Sequence, residues 1–316
     1  MARPILEAIR FHNEESAFAH VESVLWPEGP NCPHCGNADA NRITKMQGET
    51  TRLGLYNCKE CRQPFTVRMG TVFESSHLPL HLWLQIIHLM CASKKGISTR
   101  QIQRMLVCSM KTAWFLGHRI REALGTREPG KMGGEGSIVE IDETFIGKKE
   151  GFEKRRGAAH KNVILSLVQR GGSVRSFHVE STKKSDVLPI IKAHVAKETH
   201  VMTDEANQYA KLEIEFADHD VVDHSRKEYA YADRKTGTII TINSAESYYA
   251  VFKRGMFGTY QWCSEQHLHR YVAEIDFRHS NREKLKVDDT ERANRALIGV
   301  KGKRLTYETT KGIKEP

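Results

Sequence analysis

The sequence predicts an α/β domain preceded by a small cysteine-rich ribbon and a helical segment. Three observations carry that expectation. Four N-terminal cysteines form two Cys-x2-Cys pairs, Cys32/Cys35 and Cys58/Cys61. Residues 79–124 place apolar side chains at helical intervals. Beyond residue 137, short β-branched and aliphatic runs alternate with helical patterns.

The bulk properties set limits. With 316 residues, the chain is long enough for two or three domains. The boundaries expected are a ribbon over 18–70, a helical segment over 71–125, a linker over 126–136, an α/β domain over 137–282 and a basic tail over 283–316. No stretch approaches the roughly 18 apolar residues of a membrane span, and the first ten residues lack a secretory pattern. A soluble, cytoplasmic protein is expected. Net charge is +9, unevenly spread. Residues 40–131 hold fifteen Lys or Arg against five Asp or Glu, whereas residues 1–39 hold two against six. A basic stretch of that kind suits a polyanion such as DNA.

In the ribbon, 22 residues separate the two cysteine pairs. Each Cys-x2-Cys turn can offer two thiolates to one ion, and two turns complete a tetrahedron around structural zinc. Pro33 and Gly36 suit a tight knuckle. Short strands are expected near Arg42–Met46, Leu53–Asn57 and Phe65–Arg68. Disulfides are the alternative, disfavoured in a chain without a secretory signal. His34 reads as a non-ligand, and Cys91, Cys108 and Cys263 as core.

In the helical segment, Ser98 reads as the N-cap of Thr99–Leu106. The turn 107–109 leads into Met110–Leu124. Helix, short turn, helix is the spacing of a helix-turn-helix. Its second helix would offer Lys111, Thr112 and Arg119 to DNA; a plain helical packing unit is the alternative. Gly125 to Gly136 holds too much glycine to form an element and reads as the linker.

The α/β domain should begin with a strand at Ile138–Ile146, then strands at 162–170 and 174–180 joined by Gly171-Gly172. Ser185 reads as the cap of a helix to Ala196. A strand at 200–203 should follow, a short helix near 207–212, a strand near Val221, a long helix from about Asn243 to Met256, and a helix across 265–282. That order is the ribonuclease H-like topology. It places carboxylates at strand ends and a helix start: Asp142, Asp204 and Glu246. Such a set can hold hard divalent cations, and two ions about 4 Å apart can manage both oxygens of a phosphoryl transfer. Glu143 and Glu205 should face away from them. Asp220, Asp223, His224 and Asn243 are further candidates near the site. Lys154–Arg156 is a loop that could touch DNA or simply be solvated.

Three blocks make this specific: Asp142-Glu-Thr-Phe-Ile-Gly147, Thr203-Asp204-Glu-Ala206, and Ile242-Asn-Ser-Ala-Glu246 with Phe252-Lys253-Arg-Gly255. In this order, behind a zinc ribbon, they resemble the insertion-sequence DDE transposases of the ISXO-type group over about residues 18–305. The resemblance implies DNA cleavage and strand transfer at element ends, with Asp142, Asp204 and Glu246 as ligands of two Mg2+ or Mn2+ ions. It implies Lys253 as a phosphate-gripping cation, two helical turns or about 10 Å beyond Glu246. The implied partners are double-stranded DNA (the terminal inverted repeats and a target) and further copies of the chain, as a homodimer or higher on DNA, with no membrane. Two other readings are a zinc-ribbon DNA-binding regulator with an inactive ribonuclease H-like domain, and a structure-selective DNA nuclease. No serine or tyrosine recombinase motif appears.

Overall fold

The computed structural model describes residues 4–125, 130–226, 229–234 and 236–306. Linker residues 126–129 and tail residues 307–316 lie outside these. The chain divides into two compact units. The first comprises residues 1–93, 97–125 and 288–316; the second comprises 94–96 and 126–287.

In the first unit, α1 (Glu14–Leu25) starts at Asn13, whose side chain accepts from the Ser16 amide. The ribbon follows as an antiparallel sheet of β1 (Ile43–Lys45), β2 (Tyr56–Cys58) and β3 (Pro64–Phe65). Its core is small, as a sheet of this size requires: Trp26, Tyr56 and Phe65 form one aromatic cluster, with ring centroids 5.5–5.9 Å apart. Next come α2 (Leu80–Ala92), α3 (Thr99–Leu106) and α4 (Met110–Leu124). The caps of α3 and α4 are Ser98 and Ser109, which accept from the amides of Gln101 and Thr112. Val107 takes the left-handed conformation in the turn between them (φ 49°). The expected basic tail contains a helix, α8 (Asp289–Ile298), which packs against α1, α2 and α4.

The second unit is built on one five-stranded sheet. Its strands are β4 (Ile138–Ile146), β5 (Asn162–Gln169), β6 (Val174–Val179), β7 (His200–Asp204) and β8 (Asp218–Val222), in the order β6-β5-β4-β7-β8. β4, β5 and β6 pair antiparallel, while β4–β7 and β7–β8 pair parallel. That is the ribonuclease H-like arrangement. Strand alternation sends Val139 and Ile141 to one face, against α5 (Lys184–His194) and the turns carrying Tyr209 and Leu212. The alternate residues, Glu140 and Asp142, point to the other face. There α6 (Asn243–Gly255) and α7 (Leu268–Ser280) pack through Tyr248, Tyr249, Phe252 and Ile275. A two-stranded hairpin, β9 (Ala230–Ala232) and β10 (Ile239–Thr241), precedes α6.

Local details differ from the sequence expectations. Ser185 does not cap α5. The helix starts two residues earlier than that cap implies, Lys183 is its cap without a side-chain bond, and the Ser185 hydroxyl donates to Asp186. Only Cys91 of the three isolated cysteines is buried core; Cys108 and Cys263 are half-buried.

Candidate active site and metal centre

The four ribbon cysteines come together. Their sulfurs lie within 4.8 Å of one another, with Cys32–Cys61 at 3.6 Å and Cys35–Cys58 at 3.7 Å. A tetrahedron with 2.3 Å zinc–sulfur bonds has edges of about 3.8 Å, so the spacing fits one zinc ion. The amides of Cys61 and Glu60 point at the Cys58 sulfur and bring its thiol down to about 6, favouring thiolate; the Asn37 side chain adds a third donor at 3.7 Å. His34 is outside the set, its ring 3.3 Å from the Pro64 carbonyl.

In the second unit the register puts β7 beside β4, Glu140 opposite Met202, so Asp142 and Asp204 lie level on neighbouring strands. Glu246 stands on the first turn of α6, above them. The charges of Asp204, Glu143 and Glu246 all act on Asp142. With burial as the main cause, they push its carboxyl up to about 7, against the pull of the Glu143 amide (2.7 Å). Asp204 is also raised, by burial first and then by the Glu205 charge; the Ala206 amide, which donates to its carboxylate at 3.1 Å, opposes this. Asp142 and Asp204 are half-buried, whereas Glu246 and Lys253 are exposed. The three carboxylates are neighbours without forming a closed cluster, since they do not lie as a set within 4.8 Å of one another. An all-oxygen donor set in mutual repulsion fits hard divalent cations, which would relieve it.

Two contacts that the sequence did not reveal fix this geometry. Glu140 is fully buried, and one of its oxygens accepts from the Ser244 (2.7 Å) and Ala245 (3.0 Å) amides at the start of α6. Its other oxygen accepts from Arg170 Nε at 3.0 Å, with Arg170 Nη2 2.9 Å away in the same ion pair. One turn later, the Tyr249 hydroxyl donates to the carbonyls of Asp142 (2.6 Å) and Ile164 (3.1 Å). Glu246 sits between these two clamps.

The other candidates separate clearly. Glu143 is on the opposite face and accepts from Gln208; Glu205 accepts from the amides of His224 and Ser225. Asp223 holds Ser225 and Arg226. Asp220 bonds His200 at 2.8 Å, and with Asp218 these form a separate His-Asp-Asp group at the beginning of β7. Asn243 is the first, exposed residue of α6, its amide donating to Thr241.

On α4, Lys111 and Thr112 are exposed, though the Thr112 hydroxyl pairs with the capping Ser109 at 2.9 Å. Arg119 is a correction. It is buried, donates to the Glu74 (2.9 Å) and Leu305 (3.1 Å) carbonyls and lies over the Phe115 ring. Its position on the helix turns it inward, so it serves packing and does not face DNA. Arg100 and Arg104 on α3 are exposed, and the sequence reading passed over them.

A mixed β6-β5-β4-β7-β8 sheet behind a four-cysteine ribbon defines a ribonuclease H-like protein with a zinc-ribbon module. Comparison with known families narrows this further. The ISXO2-like transposase domain matches residues 132–280, and the transposase zinc-ribbon domain matches residues 12–64. Together they cover more than half of the chain, which belongs to the ISXO2-like transposases. It is also 25% identical, over 261 residues, to an uncharacterized protein in transposable element ISH50 of Halobacterium salinarum. That similarity covers 77% of this chain and 83% of the relative. Among the described residues, no helix is long and apolar enough to cross a membrane.

Proposed function

We propose that this protein cleaves and joins DNA strands at the ends of an insertion sequence. The observation that carries the reading is the like-charged group of Asp142, Asp204 and Glu246 on one face of the sheet. These three would hold two Mg2+ or Mn2+ ions, which would supply an activated water or 3′-hydroxyl and charge stabilisation at the leaving oxygen. The chain's own side chains do the positioning. Glu140 and Tyr249 hold α6 so that Glu246 stays beside Asp142. The Ala206 amide orients Asp204. Lys253, exposed two turns after Glu246, grips a phosphate of the bound strand.

The first unit recognises the element ends. Lys111 and Thr112 on α4, with Arg100 and Arg104 on α3, meet the duplex, mostly through phosphates. The zinc ribbon is structural, because four cysteine ligands leave no open position for chemistry. Two ends must be joined in one event, so the working form on DNA is a homodimer or larger.

The test is a strand-transfer assay with duplexes carrying the terminal repeats of the resident element. Wild-type protein with Mg2+ should nick the end and join it to target DNA. Asp204→Asn and Glu246→Gln should bind DNA but do neither. Cleavage that persists in both variants would overturn the assignment. Nicking without joining would favour a nuclease, and binding alone a regulator.

A further inference from the structure

β4 and α6, the elements carrying Asp142 and Glu246, both run into a groove of about 760 Å³ in the second unit. Ile146 and Gly147 at its wall lie four and five residues beyond Asp142, roughly 13–17 Å along the strand. Its lining includes Lys148, Lys154 and Lys161, none of which has an ion-pair partner among the described residues. It also includes Phe257 and Trp262, respectively 62% and 78% exposed. Glu150 and Glu265 also line it, the Glu265 carboxylate accepting from the Glu150 amide at 2.6 Å.

Trp262 is displayed by a stiff support. Just before it, the Tyr260 ring packs edge-on against Tyr271 at 4.8 Å, and its hydroxyl donates to buried Glu274 at 2.5 Å. Gln261 then takes φ 61° and ψ −43°, and the Trp262 amide donates back to the Tyr260 carbonyl at 2.7 Å. That is a γ-turn of the rare positive-φ kind, strained for a residue with a side chain. It turns the chain so that Tyr260 anchors inward and the indole stands in solvent. A large apolar ring held out on a strained turn has no account in the packing of this unit.

We propose that this groove binds unpaired DNA, with bases stacked on Trp262 and Phe257 and the phosphate backbone on Lys148, Lys154 and Lys161. The inference rests on the reading of the chain as an enzyme acting on DNA ends, and it adds the substrate form: a splayed or single-stranded end beside the carboxylates. Lysines and aromatic platforms in one groove are the combination that retains single strands without reading sequence. A closed duplex hides its base faces and could use only the lysines.

The test compares full-length protein and Trp262→Ala on a single-stranded oligothymidine and on a blunt mixed-sequence duplex at fixed low salt. Trp262→Ala should bind oligothymidine at least about fivefold more weakly while holding the duplex as wild type does. Trp262→Tyr, which keeps a stacking ring, should restore most of the loss, and Phe257→Ala should repeat it. Oligothymidine should quench tryptophan fluorescence in wild type and not in Trp262→Ala. Equal weakening on both probes, or on neither, would overturn the proposal. Failure of the strand-transfer assay would not touch it, because these readouts need no catalysis. Conversely, joining can be intact when oligothymidine binding ignores Trp262.

Discussion

Replacing Glu140 by Gln should loosen α6 without removing any proposed metal ligand. The carboxylate accepts from three donors, two helix amides on one oxygen and Arg170 Nε on the other, with Arg170 Nη2 in ion-pair range of the latter. A carboxamide keeps one acceptor oxygen and turns an NH2 toward the other donor group. Either the Ser244 and Ala245 amides or Arg170 must therefore face another donor. Glu140 is fully buried and the Arg170 side chain only 28% exposed, so water replaces little of the loss. Orphaned buried donors cost about 1–3 kcal/mol each, and the lost charge at a helix N-terminus costs about 0.5–2 kcal/mol. The total is on the order of 3–5 kcal/mol, the usual range for breaking a buried ion pair. For a unit of this size that lowers Tm by roughly 10 °C.

Thermal unfolding by circular dichroism would measure the change. Hydrogen exchange would locate it, with protection falling first at the Ser244 and Ala245 amides. Strand cleavage should fall with it, because Glu246 is on the loosened turn. Arg170→Met alone should also destabilise, and in the double variant the two effects should be clearly less than additive. A Tm within about 2 °C of wild type, or strictly additive effects, would refute this account of the clamp.

Three more outcomes follow. The purified protein should carry about one zinc equivalent, and Cys58→Ser should lose it and unfold the ribbon while leaving the second unit's sheet signal intact. Asp142 is raised to about 7 in the fold, above its unfolded value, so the stability it contributes is present at low pH and lost as pH rises through 7. Metal-free Asp142→Asn should therefore gain stability over wild type at pH 8 by on the order of 1–3 kcal/mol and lose that advantage near pH 4; a gain independent of pH in denaturant titrations would contradict it. Arg119→Ala should lower stability by roughly 1–3 kcal/mol, whereas Lys111→Ala should leave Tm unchanged and reduce the salt dependence of DNA binding by about one unit.

Local signals made much of the fold readable. Ser109 and the helical recurrence after it place α4 at Met110–Leu124, and Cys-x2-Cys spacing places the ribbon. The alternating run at 138–146 gives β4 its full length. Facing was less readable than existence. α4 buries His118, Arg119 and Arg121 on the side where the sequence suggests a solvated surface, which is why Arg119 looked available to DNA. α8 did carry a signal that was overlooked. Asp288 followed three residues later by Glu291 is a capping-box pattern, and the Asp288 side chain accepts from the Glu291 amide. The role of Glu140 had no such signal. It depends on amides 104 and 105 residues away in sequence, and a glutamate inside a strand resembles any other.

Glu140 also has a counterpart in the first unit. Neither α2 nor α6 has a side-chain cap from its own N-cap residue, Pro79 and Ile242 respectively. A distant glutamate supplies it in each case. Glu14 on α1 accepts from the Leu80 and His81 amides at 2.8 and 3.1 Å, as Glu140 does for α6. A local cap only begins a helix, whereas a remote one also fixes where the helix sits on its partner. For α2 that registers two packed helices. For α6 it has a chemical consequence, because Glu140 lies two residues from Asp142 on the same face of β4. The strand that carries one carboxylate therefore places the helix that carries another. The negative charge of Glu246 acts against Asp142 and tends to push α6 away. The Glu140 and Tyr249 clamps oppose that repulsion from either side of Glu246, so the carboxylates stay gathered before any cation arrives to neutralise them.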